Sequence, residues 1–105
     1  MIQEIIDSEI IKQFCKNNNI SKLSLFGSVL RDDFDIQKSD IDILVEFEKG
    51  KIPSLFQFAS LEIELSRLLR KKVDLKTKED LSIYFRDEVV QNAYMVYEPG
   101  VDYEP

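Results

Sequence analysis

Histidine is absent from this 105-residue chain, and cysteine occurs once, at Cys15. Without histidine there is no Ser-His-Asp or Cys-His hydrolytic machinery, no imidazole acid or base, and no zinc site of mixed Cys and His donors. A lone cysteine forms no internal disulfide. Glycine and proline number three each, and no repeat, low-complexity tract or linker divides the chain. No apolar run approaches the roughly 18 residues of a membrane span. Cations are outnumbered, with 14 Lys and Arg against 20 Asp and Glu, so a net charge of −6 repels nucleic acid at long range. Arg67, Arg70, Lys71 and Lys72 form a local basic patch that softens this repulsion. The metal donors left are carboxylates, which suit hard ions such as Mg²⁺ or Mn²⁺.

What is present reads as one folded domain. Composition is 44% apolar and 32% charged, ordinary for a chain that builds a core. The N-terminal MIQEIIDSEI is acidic and amphipathic, unlike a signal or transit peptide, so a cytoplasmic protein is expected. Periodicity predicts a helix over Ser8 to Asn18, with Ile10, Ile11, Phe14 and Cys15 on one face and Asn17-Asn18-Asn19 as its stop. Lys22 to Phe26 reads as a strand running into Gly27, and Ile41 to Phe47 as a second. In the second, Ile41, Ile43, Val45 and Phe47 alternate against Asp42, Leu44 and Glu46. Ser54 and Gln57 make a capping box for a long helix ending near Arg70, with Leu55, Phe58, Ala59, Leu61, Leu65, Leu68 and Leu69 as its apolar face. Val73 to Leu75 reads as a short strand, Thr77 with Asp80 as a second cap, Ile83 to Asn92 as a last helix and Met95 to Tyr97 as an edge strand. Residues 1–98 form the domain and 99–105 an acidic tail. Helices interleaved with a small mixed sheet give an α/β, or α+β, fold.

Two features carry chemistry. Gly27 interrupts a strand, where a glycine lets backbone approach a ligand closely, and Ser28 adds a hydroxyl beside it. Asp40 and Asp42 stand at i and i+2 entering the second strand, on one face and roughly 6–7 Å apart. Like charges at that range repel by roughly 2–3 kcal/mol at an effective dielectric near 20, a cost that a divalent cation reverses. The alternative is a solvated strand end. Ten aspartates in the chain make about one Asp-x-Asp pair expected by chance, and Asp33-Phe34-Asp35 is a second. Asp74 separates the two, because its strand can pair with that of Asp42 and bring three carboxylates onto one patch. By itself, an aspartate such as Asp74 is more often a surface residue between two core residues.

In order, LFGSVLRDDF, SDIDILVEFE and RKKVDLKTKEDLSIYFRDEVVQNAYMVYE resemble the minimal nucleotidyltransferases of the polymerase-beta superfamily, especially the small antitoxins to HEPN-domain toxins. The resemblance implies that Gly27 and Ser28 contact a triphosphate, with Arg31 and Ser39 also at the nucleotide. It implies that Asp40, Asp42 and Asp74 are catalytic and hold two Mg²⁺ ions, Mn²⁺ being the alternative, with Asp74 as the base. It further implies ATP as substrate, AMP transfer to a tyrosine of a HEPN ribonuclease, a hetero-oligomer with that toxin, and neither nucleic-acid nor membrane binding. Two departures fall in one loop. Eleven residues, Val29 to Ser39, separate Gly-Ser from the first aspartate where ten are usual, and Asp32 follows Arg31 where many members have glycine. Arg31 is equally at home as a solvated loop residue.

Three readings follow. In the first the chain is an enzyme whose acceptor is presented by a partner protein. In the second it neutralises the toxin by contact alone, through an acidic surface and apolar residues such as Phe56 and Ile63, which could instead belong to the core. Transfer to a small molecule, as in larger antibiotic-modifying relatives, ranks last for want of a pocket-building second domain.

Overall fold

A computed structural model describes residues 6–35 and 37–99. The first helix, α1 (Ser8–Asn17), starts where the Asp7 carboxylate accepts from the amides of Glu9 and Ile10 at 3.0 and 3.2 Å. It ends at Asn18, and Asn19 reverses the chain with φ of 57°, a conformation asparagine tolerates. Strand β1 (Ile20–Phe26) follows at once, two residues earlier than periodicity suggests. A 3₁₀ turn (Gly27–Leu30) and a loop lead to β2 (Ile41–Phe47). Helix α2 (Leu55–Leu69) opens on the expected capping box and closes on Arg70 in the left-handed region. Strand β3 (Val73–Lys76), a second 3₁₀ turn (Lys78–Asp80) capped by Thr77 and Asp80, helix α3 (Arg86–Asn92) and strand β4 (Tyr94–Tyr97) complete the order.

The strands form one mixed sheet in the order β3-β2-β1-β4. β1 pairs antiparallel with β2 and β4, while β2 and β3 run parallel. The parallel pair needs a crossover, and α2 supplies it. Ile11, Phe14 and Cys15 of α1 and Leu61, Leu65 and Leu69 of α2 join Leu23, Leu25, Ile41, Ile43 and Val45 of the sheet in a single core. Burial pushes the Cys15 thiol up to about 12, so it stays protonated as a packing residue.

Several expectations change in contact with the fold. Leu44, placed by alternation among the polar residues of β2, is buried on the opposite face of the sheet, where the second 3₁₀ turn lies close to β2. The buried stripe of α2 is narrower than its apolar content. Leu61, Leu65 and Leu69 face inward with Phe58 packed against them, whereas Leu55 is 89% exposed and Ala59 and Leu68 are also exposed. Phe56 and Ile63 lie on the surface, not in the core. The last helix begins three residues late, at Arg86, leaving Ile83, Tyr84 and Phe85 exposed in turns before it. The tail beyond Pro99 and the first five residues lie outside the described residues. Among those described, no helix is long and apolar enough to cross a membrane.

Candidate active site

The sheet register assembles the site. Phe26, the last residue of β1, pairs with Asp42, and Asp42 pairs with Asp74 across the parallel ladder. Directly paired residues point to the same face, and neighbouring strands lie about 4.8 Å apart, so the Asp42 and Asp74 side chains rise side by side. Asp40 stands one residue before β2, exposed at its entrance. The charges register on one another. The Asp42 carboxyl is raised above the ordinary range first by burial, then by Asp74 and Asp40, with Lys76 opposing.

Gly27 closes the site from the β1 side. Its φ of 74° lies in the left-handed region, and a Cβ placed there would stand 2.5 Å from Asp42 Oδ2. Backbone and carboxylate therefore meet at a distance that no side chain would permit, and the glycine is required twice over. The 3₁₀ turn starting at Gly27 has no side chain capping its N-terminus. Ser28 is half-buried at the start of that turn, and its carbonyl accepts from the amide of Arg31 at 3.0 Å.

Two lysines answer the carboxylates. Lys72 Nζ lies 3.6 Å from Asp40 Oδ2, and Lys76 Nζ lies 3.4 Å from Asp74 Oδ1. Among the described residues no group of three or more His, Cys, Asp or Glu side chains stands gathered as a ready set of ligands. The lysines supply a physical reason, since each draws an outer carboxylate to itself while like charges separate the three. The donors nonetheless fit a hard divalent cation. They are carboxylate oxygens only, they converge on one end of the sheet, and the glycine keeps the space beside Asp42 clear of a side chain.

The remaining expected residues sit in the loop. Arg31 donates to Asp33 at 2.9 Å, both side chains being exposed. Ser39 is half-buried, its amide donating to the Asp35 carbonyl at 2.9 Å, while Asp35 Oδ1 accepts from the amide of Gln37. The second Asp-x-Asp pair is thereby accounted for as loop structure, Asp33 through Arg31 and Asp35 through its turn. Lys76 is the site neighbour that sequence reasoning missed. Its signal is the period of two that places it on the face of Asp74.

Comparison with known proteins agrees with the fold. Residues 8–100 match the model of the family described as polymerase beta, nucleotidyltransferase. The chain is 40% identical over 85 residues to the protein adenylyltransferase MntA of Thermococcus cleftensis, covering 81% of this chain and 83% of that protein. Its fold is similar to a chain in the crystal structure of a toxin–antitoxin with AMP-PNP, with a TM-score of 0.70 and 22% identity over 90% of this chain and 76% of that one. It is also similar to a chain from the tri-AMPylated Shewanella oneidensis HEPN toxin in complex with an MNT antitoxin. There the TM-score is 0.62 at 22% identity, covering 87% of this chain and 69% of the other.

Proposed function

We propose that this chain, which belongs to the polymerase beta nucleotidyltransferase family, transfers AMP from ATP to a tyrosine hydroxyl of a HEPN ribonuclease toxin and thereby acts as its antitoxin. The observation that carries the reading is the meeting of Gly27 with the Asp42 carboxylate, beside Asp74 on the next strand. A turn suited to phosphate and a set of carboxylates suited to metal share one place. The relatives support the acceptor class, since one is named a protein adenylyltransferase and a structural neighbour is a complex with an AMPylated HEPN toxin.

Asp40, Asp42 and Asp74 would hold the divalent cations, Mg²⁺ by preference and two in number. Bound there, such ions neutralise triphosphate charge and the charge that develops during transfer. The chain's own groups do the rest. Gly27 brings its backbone against the triphosphate, and the Ser28 hydroxyl donates to a phosphate oxygen. Arg31 exchanges Asp33 for phosphate, an easy trade because exposed ion pairs contribute only about 0–1 kcal/mol. Ser39 helps to hold the nucleotide at the end of the loop. The tyrosine oxygen then attacks the α-phosphorus, the bond from that phosphorus to the α,β-bridging oxygen breaks, and pyrophosphate leaves. Asp74 accepts the hydroxyl proton. A protein with this substrate and partner works in the cytoplasm.

The test is to incubate the chain with its cognate HEPN partner, ATP and Mg²⁺ and to measure the partner's intact mass. One or more AMP additions are expected, and none when Asp40 and Asp42 are both changed to Asn. Persistence of the addition in that variant rejects the site. A partner that stays unmodified yet is inactive in a stable complex supports neutralisation by binding alone, the reading favoured by the exposed Ile52, Leu55 and Phe56.

A further inference from the structure

β3 is the edge strand next to β2, and its free side is closed by two side chains of α2. The Ile41 amide donates to the Lys72 carbonyl at 2.9 Å, which sets Lys72, Asp74 and Lys76 with their backbone groups toward β2. Val73 and Leu75 therefore direct their amides outward. The Val73 amide donates to Ser66 Oγ at 3.0 Å and the Leu75 amide to Glu62 Oε2 at 2.8 Å. Ser66 Oγ in turn donates to the Glu62 carbonyl at 2.8 Å, and the Lys71 amide donates to the Ser66 carbonyl at 3.2 Å. The residues on both sides of Asp74 are thus fastened to one helix.

We infer that Glu62 and Ser66 are positioning residues for Asp74, an inference that rests on the role proposed above for that carboxylate. Their spacing of four sets them on one face of α2, flanking the buried Leu65 and Leu69. Among the described residues, no ion pair involves Glu62, so its carboxylate serves the backbone of β3 and not a lysine. A charged acceptor on a backbone amide makes a stronger hydrogen bond than a neutral one. The need is local, because Asp42 on the paired strand repels Asp74 while Lys76 attracts it, and β3 is only four residues long. A short edge strand held on one side only would let the third carboxylate drift from its partners, and a shift near 1 Å is enough to disable a site of this kind.

The experiment measures Mn²⁺ affinity by electron paramagnetic resonance in the presence of saturating AMP-PNP, with amide exchange of Leu75 followed by NMR. Glu62→Ala is expected to weaken Mn²⁺ binding at least fivefold and to speed exchange at Leu75 at least tenfold. Glu62→Gln, which keeps an acceptor oxygen, should return affinity to within twofold of the unaltered protein. Ile11→Val, which loosens the core away from β3, should leave Mn²⁺ binding unchanged and so separates positioning from general stability. Unaltered Mn²⁺ affinity in Glu62→Ala, or a Glu62→Gln variant as weak as Glu62→Ala, overturns the inference. If Glu62→Ala does not fold, Ser66→Ala decides, with a loss of twofold or more expected and unchanged affinity overturning it. Asp74→Asn is measured alongside. Full affinity there rejects the role proposed for Asp74 and this inference with it, whereas loss there with Glu62→Ala intact rejects the clamp alone.

Discussion

At Asp42 three influences act on one carboxyl: partial burial, the neighbouring charges of Asp74 and Asp40, and the weaker opposing pull of Lys76. Together they raise its pKa, so the folded chain holds that proton more tightly than the unfolded chain does. The sign follows from linkage: the contribution to stability is complete below the ordinary carboxylate range and is lost as pH rises through the raised value. At neutral pH the ionised Asp42 therefore weighs against folding. Asp42→Asn should melt a few degrees above the unaltered protein at pH 7 in calorimetry without divalent cation, the gap narrowing as pH falls through the carboxylate range. Gly27→Ala makes the opposite trade. A left-handed non-glycine residue costs about 1–2 kcal/mol, and the added Cβ displaces the Asp42 carboxylate. Such a variant should fold with a lowered melting temperature and transfer AMP about 100-fold more slowly in a steady-state assay.

Among the elements, α2 shows what a periodic pattern resolves and what it does not. Ser54 and Gln57 marked its start correctly, since a capping box depends on residues three apart and on nothing else in the fold. Its apolar face was overdrawn, because only the stripe through Phe58, Leu61, Leu65 and Leu69 meets the core, and Leu55, Ala59 and Leu68 lie off it. Leu65→Ala should cost about 2–5 kcal/mol in denaturant unfolding, while Leu55→Ala should stay within about 0.5 kcal/mol. The strands were legible to within a residue or two for the same reason that caps are, alternation being local. The onset of α3 was not. Ile83, Tyr84 and Phe85 have the composition of a buried helix, but Ser82 accepts from the amides of Phe85 and Arg86 and holds them in a turn. Glu62 and Ser66 were equally invisible in the sequence, because their partners on β3 are backbone amides with no side-chain signature.

For the whole molecule, order along the chain is what made the candidate site readable. Strand, Gly-Ser, loop, Asp-x-Asp strand and Asp strand together specify a sheet in which residues 27, 42 and 74 meet, and that meeting depends on a register no single segment reveals. Lys76 beside Asp74 follows from the period of two within β3, but spacing alone did not announce Lys72 on Asp40, since that pair depends on the register that sets Ile41 beside Val73. The net charge of −6 acts at this scale too, favouring a partner with a basic face over direct contact with nucleic acid. The central claim is that the Gly27 turn and the three carboxylates form one metal-and-triphosphate site. Calorimetric titration of AMP-PNP, with and without Mg²⁺, tests it most directly. Binding should require Mg²⁺ and should fall at least tenfold in both Asp42→Asn and Gly27→Ala. Binding that is indifferent to Mg²⁺, or unchanged in both variants, would contradict the claim.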